Sequence, residues 1–106
     1  MKGTNLGEFQ ELVMLCIMVL NKNAYGVTIQ EELESRMQRK TSRGALHTAL
    51  TRLEEKGLIS SDYGDPSPER GGRRKRYYEV TNKGLATLQE AKELRENMWQ
   101  LIPKLS

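Results

Sequence analysis

The residues of this sequence with the clearest chemical character form a block of cations. Four of them are consecutive, between two glycines and two tyrosines in the stretch GGRRKRYY: Arg73, Arg74, Lys75 and Arg76. Together with Arg70 they give residues 70–76 five cations and no acid, whereas residues 1–40 carry five of each and residues 77–106 four of each. A basic cluster on an otherwise balanced chain indicates a surface that binds a polyanion. A solvated loop is the alternative for such a charge run.

The sequence has no comparable cluster of catalytic or metal-binding residues. The chain has one histidine, His47, and one cysteine, Cys16. Their separation fits no metal-ligand spacing, and neither lies beside a second group that would activate it. The glycines of RGGRR do not join a strand to a helix, as a phosphate-binding loop would. We therefore expect neither an enzyme nor a cofactor.

The length and the apolar segments place the chain in a broad class. At 106 residues it is expected to form one small domain. Cys16 lies in the apolar run ELVMLCIMVL, which predicts a buried thiol in a reducing compartment. The uninterrupted apolar stretch from Leu12 to Leu20 is about half as long as a bilayer span. Glu8 and Glu11 precede it, so no cleavable signal is expected. The sequence therefore predicts a cytoplasmic protein with no membrane partner.

Hydrophobic periodicity predicts four helices and a two-stranded ribbon, an α+β fold. Helices are expected at residues 5–21 and 27–38, from Thr41 or Ser42 to 56, and from Thr81 or Asn82 to 102, with strands at 58–63 and 76–80. Thr28 with Glu31 fits a capping box at the start of the second helix. Gly57 is suited to end the third helix. The order of elements is that of a helix-turn-helix followed by a β-wing whose loop carries the cations.

The third helix has small polar side chains on the face away from its leucines. This outer face contains Gly44, His47, Thr48 and Thr51, while Leu46, Leu50 and Leu53 form the inner stripe. A solvated helix usually carries Glu and Lys at such positions, so we expect the outer face to contact base edges in a major groove. Ser42 and Arg43 begin the same helix, and the wing cations are expected to contact phosphates. Arg76 alternates with Tyr78 and Val80, so a contact with an acid is the other expectation for it.

The last helix has a heptad seam. Apolar residues recur there at steps of three and four: Ala91, Leu94, Met98, Leu101 and Leu105. This pattern predicts a helix that packs on another helix. The seam sets residues 81–106, expected to pack on another helix, apart from residues 1–80, the expected DNA-binding domain.

The chain resembles the PadR family of bacterial winged-helix transcription regulators. The similarity extends over residues 6–90 and depends on the stretches LGEFQELVMLCIMVL, AYGVTIQEELE, GALHTALTRLEEKGLISS and PERGGRRKRYYEVTNKG. It implies sequence-specific binding of double-stranded DNA by a homodimer, usually as a repressor on a palindromic operator. One departure is His47, where relatives commonly have Tyr, although imidazole can also donate to a phosphate or base.

The resemblance also implies where subunits and an effector would bind. The first and last helices of two subunits would pack together, through Leu6, Phe9, Val13, Leu94, Met98, Leu101 and Leu105. Some small members of the family bind flat aromatic or cationic drugs at this interface, which implies a small aromatic effector. A pocket for it would be lined by Trp99, Met98 and Leu94, with Met14 or Met18 from the first helix. For Trp99 itself, packing between subunits is favoured over ligand stacking.

Two other functions fit the same sequence. A winged helix can serve as a protein- or RNA-interaction module without sequence-specific DNA binding. It can also belong to a dimer that chiefly binds a ligand, with DNA binding as the output of a sensor.

Overall fold

A computed structural model describes residues 6–66 and 74–103 of the chain. The elements in chain order are α1 (Glu8–Leu20), a 3-10 turn (Asn21–Asn23), α2 (Gly26–Ser35), α3 (Arg43–Glu55), β1 (Ile59–Pro66), β2 (Arg74–Val80) and α4 (Asn82–Leu101). The predicted α+β architecture of three helices, a ribbon and one long C-terminal helix is confirmed. Within residues 6–66 and 74–103, no helix combines the length and hydropathy that crossing a membrane requires.

Local sequence chemistry sets the ends of α3 and the start of α4. The Ser42 hydroxyl accepts a hydrogen bond from the backbone N–H of Ala45 at 3.0 Å, which satisfies one of the free donors in the first turn of α3. After α3, Gly57 takes a φ of +76°, a conformation that glycine adopts without a Cβ clash. Thr81 caps α4 in the same way, accepting from Gly84 N–H at 3.0 Å. These three predicted boundaries are confirmed.

The boundaries of α2 differ from the prediction. Tyr25, not Thr28, holds the N-cap position, and the Thr28 hydroxyl accepts from the Tyr25 N–H at 3.0 Å. The predicted capping box with Glu31 is therefore wrong, because Thr28 occupies the third helical position and bonds backward. The helix also ends at Ser35, earlier than the predicted residue 38. Gln38 lies beyond that end, with a φ of +52° that no α-helix can contain.

The core is built around α1, which helices α2, α3 and α4 and the strand β2 all contact. Its largest fully buried side chains come from every element up to β1: Val13, Met14, Cys16, Ile17, Ile29, Leu33, Leu53 and Ile59. Because α1 is apolar on most sides, it can be covered by several neighbours at once. The same burial raises the pKa of the Cys16 thiol from 9.0 to about 11, with a smaller contribution from the Glu32 charge.

The ribbon is antiparallel, and both of its strands contact the helices. Ile59 pairs with Val80 and Tyr63 with Arg76, and the register shifts between Tyr63 and Pro66. The outer edge of β2 also bonds to the segment before α2, since the Tyr78 N–H donates to the Ala24 carbonyl at 2.8 Å. The wing is thereby tied to the helix-turn-helix by backbone as well as by side chains.

Helix α4 buries apolar side chains against the domain only in its first half. Gly84 lies so close to the end of α3 that a Cβ there would be 2.0 Å from the Leu58 carbonyl oxygen. Leu88 and Ala91 are buried, but beyond them the apolar side chains are open: Leu94 is 47% exposed, Met98 66%, Trp99 60% and Leu101 74%. The second half of α4 therefore leaves an apolar surface uncovered within the single chain.

Candidate nucleic-acid interface

The outer face of α3 lies where the periodicity predicts. Leu46, Leu50 and Leu53 are buried in the core. The predicted contact residues are all exposed along the other side: Ser42, Arg43, Gly44, His47, Thr48 and Thr51. Gly44 has no neighbouring atom within 4 Å of the place where a Cβ would lie. This side of α3 is thus a row of small or polar side chains, with open space at Gly44.

The described wing cations do not point in one direction. Arg74 is exposed, with its guanidinium carbon 5.6 Å from the centre of the Tyr63 ring. Lys75 turns to the start of α2, where its Nζ donates to the Tyr25 hydroxyl at 3.1 Å and lies 4.2 Å from the ring centre. Two other predicted contacts, Arg70 and Arg73, lie outside the described residues.

Arg76 is engaged with an acid, the second of the two expectations for it. Its Nη2 lies 3.0 Å from Oε1 of Glu54 at the end of α3, and its Nε donates to the Ser61 Oγ at 2.9 Å. The Ser61 hydroxyl in turn donates to Glu54 Oε2 at 2.7 Å. A charge-assisted hydrogen bond to a carboxylate partly neutralises the guanidinium. Arg76 is therefore a weaker candidate for a phosphate contact than Arg74.

A groove separates α3 from the wing. It has a volume of about 380 Å³. It is lined by residues of α3 and β2 and of the start of α2: Tyr25, Gly26, Val27, Gln30, Arg43, Leu46, His47, Leu50, Arg76 and Tyr78. Burial raises the pKa of the Tyr78 hydroxyl, so this group stays a neutral hydrogen-bonding partner. The two predicted contact surfaces thus border one concave space.

A second groove lies between α1 and α4, away from the wing. Its volume is about 430 Å³, and it is lined mainly by apolar side chains that include Leu15, Met18, Leu85, Leu88 and Trp99. Leu6 and Phe9, predicted at a subunit interface, are half-buried at the edge of the core. Leu105 lies outside the described residues.

Two predicted surface roles are corrected by burial. Val13, expected at the subunit interface, and Met14, expected beside an effector, are both 0% exposed in the core of the single chain. A fully buried side chain cannot contact a partner or ligand without opening the core. Periodicity could not reveal this, because α1 has apolar residues on several faces. Met18, the predicted alternative to Met14, lines the groove together with Leu15.

The arrangement of these elements defines a class of protein. A helix-turn-helix with an outward second helix, followed by a two-stranded wing, is a winged-helix domain. Within this class, residues 14–90 match the Transcriptional regulator PadR-like family, and the chain belongs to that family. Its members are transcriptional regulators and not enzymes.

Comparison with known proteins agrees with this assignment. An uncharacterised protein of Lysinibacillus sphaericus, protein X, is 37% identical over 75 residues, covering 69% of this chain. The match covers 66% of that relative, just under two thirds of its length. A transcriptional regulator from Clostridium thermocellum has a TM-score of 0.69 at 23% identity, over 92% of this chain and 89% of that one. A PadR-like transcriptional regulator from Bacillus cereus has a TM-score of 0.70 at 23% identity, over 87% and 84%. These two similarities establish the fold.

Proposed function

We propose that this PadR-like family member binds double-stranded DNA sequence-specifically as a homodimer. The observation that carries the proposal is the exposed row of small or polar side chains on α3, which borders a groove lined by α2, α3 and β2. Residues 1–80 would form the DNA-binding domain and residues 81–106 the dimerisation helix. Because its target is chromosomal DNA, the protein would act in the cytoplasm.

The chemistry of α3 supports insertion into a major groove. Thr48 and Thr51 each offer a hydroxyl and a methyl group, which can contact a base edge by a hydrogen bond or beside a thymine methyl. Gly44 leaves space for the helix to approach the duplex. Arg43 and Arg74 flank this face and carry charges that suit phosphates, which fix the register of the helix on the DNA.

The exposed apolar side chains of α4 support the homodimer. A second copy of the chain would cover Leu94, Met98 and Leu101, which follow the heptad steps of a helix-helix seam. Two-fold symmetry would place the two α3 helices about 34 Å apart, in successive major grooves of a palindromic operator. Occupying that operator would repress transcription. The apolar groove beside Trp99 would admit a small aromatic effector that releases the DNA.

Binding-site selection from fragmented genomic DNA tests the proposed function. We expect an enriched motif with two-fold symmetry. If each subunit neutralises about three phosphates, the slope of log affinity against log salt concentration should be about −5 for the dimer. A slope near zero, or equal affinity for all duplexes, would contradict the proposal. Either result would favour the alternative, a winged helix that contacts protein or RNA.

A further inference from the structure

Neighbouring residues of β2 are tied to the two different helices of the helix-turn-helix. Successive side chains of a strand leave on opposite faces. Accordingly Arg76 reaches Glu54 at the end of α3, while Lys75 reaches Tyr25 at the start of α2. Tyr77 adds to the second contact, since its ring packs edge-on against Tyr25 with centres 5.5 Å apart. The base of the wing is thus held from both sides.

The contact at α3 is a closed set of hydrogen bonds. Each oxygen of the Glu54 carboxylate accepts from a different strand, Oε2 from Ser61 on β1 at 2.7 Å and Oε1 from Arg76 on β2 at 3.0 Å. Arg76 also donates to Ser61 at 2.9 Å, so the three side chains bond one another in pairs. Three mutual bonds across three elements define the position of the Arg76 guanidinium more strictly than one ion pair would.

The Tyr63 ring contacts the guanidinium groups of both Arg76 and Arg74. Tyr63, paired with Arg76 in the ribbon, has two guanidinium carbons near its ring: that of Arg74 lies 5.6 Å and that of Arg76 5.7 Å from the ring centre. Arg76 also lies 5.8 Å from the centre of the buried Tyr78 ring. A cation near a ring face restricts the positions of both groups. Glu54, Arg76, Tyr63 and Arg74 therefore form a continuous series of contacts from α3 to the exposed part of the wing.

We propose that Glu54 is a positioning residue of the DNA-binding surface, which acts through Arg76 and Tyr63 to direct Arg74 toward the phosphate backbone. The inference depends on the proposed DNA-binding function. It assigns different roles to three consecutive cations. Arg74 contacts the duplex, whereas Arg76 and Lys75 hold the wing against α3 and α2. Glu54 would therefore strengthen DNA binding, although its own charge is negative.

Glu54→Gln distinguishes a positioning role from a purely electrostatic one, because the two predict opposite changes in the affinity for the operator. Removing an acid beside DNA should by itself strengthen binding, and here it would also release Arg76 to contact a phosphate. A positioning role predicts the opposite, weaker operator binding. The slope of log affinity against log salt concentration should also become smaller in magnitude by about 2 for the dimer, because each subunit loses one phosphate contact. Glu55→Gln removes the same charge from the next residue of α3. We expect binding by that control to be equal or stronger.

A double-mutant cycle identifies Arg74 as the residue through which Glu54 acts. Arg74→Ala should weaken operator binding about tenfold in the wild-type background. It should have almost no further effect after Glu54→Gln, because the contact is already lost. Independent, additive effects would overturn the proposal. Exchanging the charges, with Glu54→Arg and Arg76→Glu together, should not restore the affinity, because position 76 would then offer no cation to the Tyr63 ring.

Two controls keep the outcomes distinguishable. The ion pair is partly exposed, with 33% of the Glu54 and 42% of the Arg76 side chain accessible, so its loss should hardly change the thermal midpoint. Circular dichroism melting of every variant checks this. If the wild type shows no salt-dependent duplex binding, the proposed function fails. If the wild type binds and Glu54→Gln binds as well or better, only the positioning role fails.

Discussion

The carboxylate of Glu11 in α1 is paired with the guanidinium of Arg95 in α4, and both of its oxygens accept from the same Nη1. The Glu11 side chain is only 12% exposed, whereas that of Arg95 is 57% exposed. The hydrogen bond to Glu11, and then its charge, raise the pKa of Arg95 above its ordinary value. This pair lies one turn beyond Ala91, the last buried residue of α4, and so fixes the direction in which the open half of the helix leaves the domain.

Arg95→Ala should destabilise the fold more than removal of an exposed pair. The substitution leaves the mostly buried Glu11 carboxylate without its partner, which is unfavourable because the charge has little access to water. Urea denaturation should show a lower midpoint than for Arg39→Ala, which removes the partner of Glu8, a carboxylate whose side chain is 70% exposed. Adding Glu11→Gln to Arg95→Ala should recover part of the loss. No recovery would indicate that Arg95 stabilises through packing instead of charge.

Met98→Glu should dissociate the proposed homodimer. The side chain is 66% exposed in the single chain, so a charge is harmless to the subunit but unfavourable inside an apolar interface. We expect the dimer dissociation constant to rise about tenfold or more, by sedimentation velocity at several concentrations. Gln100→Glu is the control, because it adds the same charge about 200° away around α4. Equal behaviour of the two variants would exclude Met98 from the interface.

The features that the sequence predicted correctly depend on interactions between residues only a few positions apart in the chain. Ser42, Gly57 and Thr81 set helix ends through their own hydroxyl groups or backbone freedom. The exposed face of α3 is likewise predicted locally, from the helical spacing of its leucines. The capping of α2 is the exception among these local features. There Thr28 occupies the third helical position and its hydroxyl accepts from the N–H of Tyr25 at the N-cap, whereas the pattern with Glu31 places Thr28 at the N-cap.

The remaining features depend on contacts between distant parts of the chain. Glu54 and Arg76 are 22 positions apart, Tyr25 and Lys75 are 50 apart, and Glu11 and Arg95 are 84 apart. No local period relates such residues. A run of cations also has the same composition whether its members face a ligand or their own fold, so the sequence alone grouped Arg74 with Lys75 and Arg76.

Thr48→Ala with Thr51→Ala should reduce sequence preference without reducing stability. Both side chains are exposed on α3, and alanine is the better helix former, so the free energy of unfolding should stay equal or rise slightly. Loss of base contacts should decrease the discrimination between operator and scrambled duplex by about 1–3 kcal/mol per contact. Competition binding by fluorescence anisotropy measures this. Thr87→Ala in α4 is the matched control, and unchanged discrimination in the α3 variant would contradict a base-reading role.

Gly84→Ala and Gly44→Ala should change stability in opposite directions. A Cβ on Gly84 would lie 2.0 Å from the Leu58 carbonyl oxygen, and the backbone at the start of α4 must shift to relieve that clash. We expect a loss of about 2–3 kcal/mol in the free energy of unfolding. Gly44 has open space around it, so alanine there should stabilise α3 by about 0.5–1 kcal/mol. Thermal unfolding of both variants is the measurement, and a neutral Gly84→Ala would mean that α4 can move away from β1.

Cys16 should make the fold less stable at high pH. Burial raises the pKa of its thiol from 9.0 to about 11, so the thiol stays neutral in the folded chain at a pH where it already ionises in the unfolded chain. The thiol has no effect on the pH dependence below pH 9. As the pH rises from 9 to 11, ionisation favours the unfolded state by about 2–3 kcal/mol in total. Cys16→Ala should not show this loss of stability between pH 9 and pH 11, although the cavity left by the thiol lowers its stability at every pH. Chemical denaturation of both proteins at pH 8 and pH 11 gives the difference, and parallel curves would show that the folded thiol ionises as readily as the unfolded one.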